Sequence, residues 1–273
     1  MDKYGLIGYP LGHSFSIGYF NEKFENEHIN AQYINFEIPS IEDFKEVVDA
    51  NPQLRGLNVT IPYKLDVMPH LTEISEEARR IGAVNTIHIR EDGCFGYNTD
   101  YIGFGRSLEH AGIAVKGRTC TVLGSGGAAR AITQYLTDNG AAAITVVSRR
   151  PHSKPDFDNF MHHTIADIID YNELNRHPGG DVIVNCTPVG MYPDSDASPV
   201  NEAVVREYGA VVDLIYNPRD TLFLQYGKKH GACTLNGMYM LVAQAIGSEE
   251  IWLDREIEFS VVEQLAREME DFM

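Results

Sequence analysis

The chain has 273 residues, 44% hydrophobic and 22% charged, with 39 acidic against 22 basic side chains for a formal charge of -17. This is the composition of a soluble globular protein of two ordinary domains, with no apolar run long enough to span a membrane. The charge repels nucleic acid and no Lys/Arg cluster offsets it, so a nucleic-acid partner is not expected.

The four cysteines, Cys94, Cys120, Cys186 and Cys233, are widely separated without metal-ligand spacing and are expected to be reduced and structural. His162-His163 is the only histidine pair, and adjacent residues point different ways, so no metal site is expected. Met1 to Gly5 passes directly into a strand pattern with no h-region, from which a cytoplasmic location is expected.

In chain order, Tyr4 to Gly8 reads as a first strand. Gln32 to Ile38 alternates with period two as a second, and Gly56 to Ile61 is a third, stopped by Pro62. Ile17 to Phe24 and Ile41 to Val48 carry helical spacing between them, the latter capped by Ser40. This β-α-β-α-β order predicts a parallel sheet. Val84 to Ile89 and Cys94 to Tyr97 flank Glu91-Asp92-Gly93, a hairpin signal that predicts an antiparallel edge. A helix from Asp100 or Tyr101 to His110, ending before Gly112, links this half to the next.

The second half opens on Thr121-Val122-Leu123-Gly124-Ser125-Gly126-Gly127-Ala128-Ala129-Arg130, an apolar run ending in glycines that pass into a helix. Gly124 suits a tight turn, Gly126 leaves room for a pyrophosphate, and Ala129 allows close packing of helix on sheet. The free N–H groups of the helix start would hold phosphates. Strands follow at Ile144 to Ser148, Asp181 to Asn185, Ala210 to Ile215 and Ala232 to Leu235. The expected architecture is α/β: an N-terminal α/β domain over 1–100 and a Rossmann-type doubly wound dinucleotide-binding domain over 101–236. Helices over 237–273 are expected to return to the first domain. Met238 to Ile246 is apolar around most of its surface, and the tail from Glu249 reads as one amphipathic helix with a solvated acidic face.

Polar residues concentrate where strand tips and loops should lie: His13-Ser14-Phe15-Ser16, Asn58-x-Thr60 with Lys64 beyond, Asn85-Thr86, and Asn98-Thr99-Asp100. They supply hydroxyls, amides, one cation and one carboxylate, which suits a small polyhydroxylated anion. Each has a structural alternative. Ser14, Ser16 and Asp100 could be helix caps, Asn58 and Thr60 solvated residues of an edge strand, and Lys64 a surface lysine. Open α/β sheets bind ligands at the C-terminal strand ends, which favours the binding reading.

Seven motifs in order, H-S-x-S at His13 to Ser16, N-V-T-x-P-x-K at Asn58 to Lys64, G-A-V-N-T at Gly82 to Thr86, N-T-D at Asn98 to Asp100, G-x-G-G-A-x-R at Gly124 to Arg130, N-x-T-P-x-G-M at Asn185 to Met191 and G-x-x-M-L-x-x-Q at Gly237 to Gln244, resemble those of the shikimate dehydrogenase family almost end to end. The resemblance implies NADPH-dependent reduction of 3-dehydroshikimate to shikimate in aromatic amino-acid biosynthesis. It implies that Ser14, Ser16, Asn58, Thr60, Asn85, Asp100 and Gln244 hold the substrate, with Lys64 and Asp100 the catalytic pair.

NADP is expected on Gly124, Ser125, Gly126, Gly127 and Ala128, on Ser148, Arg149 and Arg150, and on Thr187 and Gly237. NAD-selective folds place an acid about 20 residues past the glycine turn, where this chain has Ser148-Arg149-Arg150. The family usually has Pro after H-S-x-S and His-Asn three residues on, where this chain has Ile17 and Phe20-Asn21. The same resemblance leaves open an NAD-preferring quinate/shikimate dehydrogenase, a non-catalytic NADP sensor, and a monomer or a homodimer.

Overall fold

The computed structural model describes residues 1–12 and 15–272, and the chain divides into two compact units. Met1–Thr99 and Gly247–Glu256 form the first, Asp100–Ile246 and the residues from Ile257 onward the second. The first contains β1 (Asp2–Gly8), α1 (Phe15–Asn26), β2 (Ala31–Glu37), α2 (Phe44–Ala50), β3 (Leu54–Val59), β4 (Glu73–Ile74), α3 (Glu76–Ile81), β5 (Thr86–Arg90) and β6 (Gly93–Tyr97). Its sheet order is β2-β1-β3-β5-β6-β4. β2, β1 and β3 are parallel and β5 and β6 antiparallel, as the hairpin signal predicts. The outermost strand is instead β4, two residues paired parallel to β6.

The hairpin turn also differs in register. Arg90 pairs with Gly93, so Glu91 and Asp92 form the loop and the glycine closes it. Gly93 has φ 142, and a Cβ there would lie 2.1 Å from Thr72 Oγ1, so close approach fixes the glycine. The core of this unit collects Ile7, Leu57, Val59, Val84 and Ile87 from the facing strands. A second apolar layer is aromatic, with Tyr4, Phe20, Phe24, Tyr33 and Trp252 in mutual ring contact.

α4 (Thr99–His110) leads into β7 (Thr119–Leu123), α5 (Gly127–Asp138), β8 (Ala143–Val147), α6 (Pro155–Met161), β9 (Ala166–Ile169), α7 (Tyr171–Arg176) and β10 (Gly180–Asn185). α8 (Glu202–Val205), β11 (Tyr208–Asp213), α9 (Leu222–Lys229), β12 (Cys233–Leu235), α10 (Met238–Leu253) and α11 (Phe259–Phe272) follow. The sheet is parallel throughout, in the order β12-β11-β10-β7-β8-β9, the doubly wound arrangement of a Rossmann-type domain. Val182, Ile183, Val184, Val211 and Val212 are buried, as continuous apolar strands covered on both faces must be.

The C-terminal segment is two helices, as expected, but the break between them falls after Leu253 and not before Glu249. α10 runs on to Leu253, and only Gly247–Glu256 clusters with the first unit. Trp252 anchors that segment, donating Nε1–H to Ile87 O at 2.9 Å above Gly56, where a Cβ would collide with the indole. α11 belongs to the second unit, where Glu263 meets His110 Nδ1 at 2.6 Å. Glu249 is not on a solvated face; it is fully buried, with Arg255 and Lys23 beside it. No helix among the described residues is long and apolar enough to cross a membrane.

Candidate active site

In the first unit the polar residues gather at the C-terminal ends of the parallel strands. β3 lies between β1 and β5 and Asn58 is buried, which excludes the reading of a solvated edge residue. Tyr33 reaches across from β2 and donates its hydroxyl to Asn58 Oδ1 at 2.8 Å. Asn58 Nδ2 donates to Ser248 Oγ at 2.8 Å. Ser16, half-buried in the first turn of α1, is hydrogen-bonded to the same Tyr33 hydroxyl. His13 and Ser14 lie outside the described residues.

Asn85 is 2% exposed, and its Oδ1 accepts from Thr99 N at 2.7 Å and Thr86 Oγ1 at 3.1 Å. It thereby pins the backbone at the first residue of α4. Past β3 the chain turns tightly: Thr60 N donates to Ile7 O at 3.0 Å and Val84 N to Lys64 O at 2.7 Å. Thr60 and Lys64 are thus held on a fixed backbone, each half-buried.

The second unit begins at Asp100, 6% exposed in the first turn of α4. It stands inside the helix, after Thr99, and so is not the N-cap. One turn on, Gly103 is where α10 crosses, and a Cβ there would come within 3.0 Å of Gln244 Cβ. Gln244 is half-buried, with Nε2 donating to Leu241 O at 3.0 Å.

Strand order reverses between β7 and β10, and the glycine turn lies at that point. Gly124 has φ 111, a conformation glycine adopts freely, and a Cβ would press on Cys186 O and Thr187 Cγ2 at 3.2 Å. A Cβ on Gly126 would meet nothing within 4 Å, so the space before α5 is open to a phosphate. Gly127 and Ala128 form the helix start, and Ala129 is fully buried against the sheet.

Beyond β8, Ser148 Oγ lies 3.3 Å from Ser125 Oγ and accepts from Arg150 N at 3.3 Å, which couples the two loops. Arg149 and Arg150 are exposed. Lys154, in the irregular basic stretch that follows, donates Nζ to Ser125 O at 3.2 Å. With helix start, open glycine and cationic loop on one side of the sheet, the residues present fit a dinucleotide carrying an extra phosphate.

Thr187 is organised from below. Its N and Oγ1 both donate to Asn185 Oδ1, at 3.0 and 2.7 Å, and Asn185 Nδ2 donates to Asp213 Oδ1 at 2.9 Å. Asp213 also accepts from Thr221 Oγ1 at 2.7 Å and Ile215 N at 3.1 Å. It is fully buried, and burial pushes its carboxyl up to about 6. Burial also raises the Cys186 thiol, helped by Asp213 and Asp100. Gly237 has a packing reason for its identity: a Cβ would strike Leu214 O at 2.0 Å.

Tyr33, Ser248, Asp213 and Thr221 are not among the sequence-predicted site residues. Only Asp213, a lone acid at the end of an apolar strand, carries a local signal.

Residues 6–87 match the family model described as the shikimate dehydrogenase substrate binding domain. The shikimate dehydrogenase (NADP(+)) of Clostridium beijerinckii is 40% identical over 268 residues, covering 97% of each chain. A chorismate mutase/shikimate 5-dehydrogenase fusion protein from Clostridium acetobutylicum superposes with a TM-score of 0.91 at 48% identity, over 99% of this chain and 97% of that one. Shikimate 5-dehydrogenase from Thermus thermophilus, crystallised in complex with NADP(H) and shikimate, gives a TM-score of 0.84 at 32% identity, covering 98% of this chain and 99% of that one. With relatives this similar over nearly their whole length, the chain belongs to the shikimate dehydrogenase family.

Proposed function

We propose that this protein is an NADP-dependent shikimate dehydrogenase, an oxidoreductase acting on a CH–OH group that interconverts 3-dehydroshikimate and shikimate in the cytoplasmic synthesis of aromatic amino acids. The observation that carries the reading is the convergence of Ser16, Asn58 and Asn85 in one buried polar network, in a chain related end to end to enzymes so named.

Ketone reduction requires a hydride on carbon and a proton on oxygen. Bound NADPH supplies the hydride. Lys64 is assigned the proton, its ammonium sitting on a turn that Val84 holds through Lys64 O, and the positive charge stabilises the alkoxide that forms. Asp100, in the first turn of α4, is assigned to accept from the substrate beside Lys64. Ser14, Ser16, Asn58, Thr60, Asn85 and Gln244 are assigned the substrate's hydroxyls and carboxylate. Buried amides suit this, because a substrate lacking the matching hydroxyl leaves them unpaired. Gly124 to Ala128 and Thr187 take the pyrophosphate side of the cofactor, and Ser148, Arg149 and Arg150 the 2′-phosphate.

An initial-rate assay following NADPH absorbance, with shikimate and quinate each crossed against NADP and NAD, tests the reading. The expected result is the highest kcat/KM with shikimate and NADP. Quinate carries a ring hydroxyl where shikimate has a double bond, so comparable kcat/KM for both substrates would reject the substrate assignment. Equal use of NAD would reject the cofactor assignment.

A further inference from the structure

The amide of Asn58 is gripped at both ends. Tyr33 Oη donates to its Oδ1 and Ser248 Oγ accepts from its Nδ2, each at 2.8 Å. Both partners are hydroxyls able to donate or accept, and what orients the amide is Asn85 O, a carbonyl that can only accept, 3.5 Å from the same Nδ2. We infer that Tyr33 and Ser248 are positioning residues of the substrate site, which hold the Asn58 amide at both ends in the orientation that Asn85 O sets, so that it meets the substrate with one polarity only. This rests on the reading of Asn58 as a substrate contact.

The two clamping groups are themselves immobilised. Tyr33 is 1% exposed, and its ring stacks on Phe20 with centroids 4.7 Å apart and planes 14° from parallel. Asn21 brackets its backbone, with Oδ1 accepting from Tyr33 N at 2.8 Å and Nδ2 donating to Tyr33 O at 2.9 Å. Phe20 stands where the family usually has histidine, and here it walls the ring whose hydroxyl reaches Asn58. Burial pushes the Tyr33 phenol far above its ordinary range, so it stays a proton donor.

A phenol has one proton, and the amide oxygen can only accept. The Tyr33 proton therefore goes to Asn58, and Ser16 donates to Tyr33.

Ser248 is fully buried on α10, 190 residues from Asn58 in the chain. Its hydroxyl is shared with Thr86 Oγ1 at 2.8 Å and Thr99 Oγ1 at 3.4 Å, the two threonines around Asn85. The clamp thus joins Ser16, Asn58 and Asn85 into one net. Its position is set by Trp252, one turn on, through the bond to Ile87 O. The segment Gly247–Glu256 brings to the first unit the acceptor for the Asn58 amide.

The test is a mutant cycle on the full-length enzyme, with KM for shikimate, KM for NADP, kcat and melting temperature read for each variant. Tyr33→Phe and Ser248→Ala should each raise KM for shikimate about tenfold, the usual worth of one buried hydrogen bond. KM for NADP should not move and kcat should change far less than KM, as for an interaction felt alike in ground and transition states. In an Asn58→Ala background, Tyr33→Phe should have a clearly smaller effect, since only its contact with Ser16 is left to lose. An undiminished effect of Tyr33→Phe in that background would overturn the clamp, as would lowered melting temperatures with KM for shikimate unchanged in both single variants. If Asn58→Ala itself leaves KM for shikimate unchanged, the assignment of Asn58 to the substrate fails first and takes the clamp with it.

Discussion

Asp213→Asn should change how stability depends on pH, in a direction and window set by one buried carboxyl. Asp213 is fully buried with three donors on its two oxygens, and none of the influences on its ionisation is a cation. Desolvation is the largest cause and raises it from 3.8 to about 6, while the donors from Thr221, Ile215 and Asn185 pull the other way. Below pH 3.8 the group is protonated in both folded and unfolded chains and contributes no slope. Between 3.8 and about 6 the unfolded chain has lost the proton and the native one keeps it, so stability falls as pH rises. Above about 6 both are ionised and the loss is complete.

A rise from 3.8 to about 6, at roughly 1.4 kcal/mol for each pH unit, makes the loss about 3 kcal/mol. Asparagine keeps the shape, can accept from Asn185 and Ile215, and can donate to the Thr221 hydroxyl, but does not titrate. Urea unfolding followed by far-UV circular dichroism, on parent and variant across this window, isolates the group, because carboxylates common to both cancel in the difference. The parent should lose about 3 kcal/mol relative to the variant between pH 3.8 and about 6, then run parallel to it. A difference that stays constant with pH would mean that Asp213 titrates normally and that its burial is not the dominant influence.

Two further outcomes concern catalysis and cofactor choice. Lys64→Ala or Asp100→Ala should lower kcat by roughly 10²–10⁴-fold with an unchanged circular dichroism melt, the usual worth of positioned proton transfer; a loss under tenfold in a folded variant would remove that residue from the catalytic pair. Arg149→Ala should remove one charge-assisted phosphate contact, worth roughly 1.5–3 kcal/mol, and so raise KM for NADP by about one to two decades while KM for NAD stays nearly constant. Equal weakening of both cofactors would make Arg149 an ordinary surface charge.

What can be read from the sequence follows from how local each feature's cause is. The glycine turn is legible because Gly124 needs its positive φ and Gly126 its open space for reasons internal to a few residues. The long apolar strands β10 and β11 are legible because burial on both faces leaves no polar alternation. β4 and β9 are not, because two residues, and four that are mostly only half-buried, carry no period.

The acidic tail misleads for an electrostatic reason. Glu249 looks like one more solvated acid, yet burial raises its carboxyl while Arg255 and Lys23 offset part of that cost from elsewhere in the first unit. The site divides in the same way. Asn58, Lys64 and Asp100 sit in dense local motifs, whereas the groups that orient Asn58 do not: Tyr33 is one of two aromatics on its strand, and Ser248 is a small polar residue in an apolar helix. Their meaning arises only when the fold closes 25 and 190 residues of chain onto the Asn58 amide. A residue that touches a ligand tends to share its neighbourhood with others that do, and so leaves a pattern; one that holds such a residue in place can come from any element that packs there, and its signature is a distance rather than a spacing.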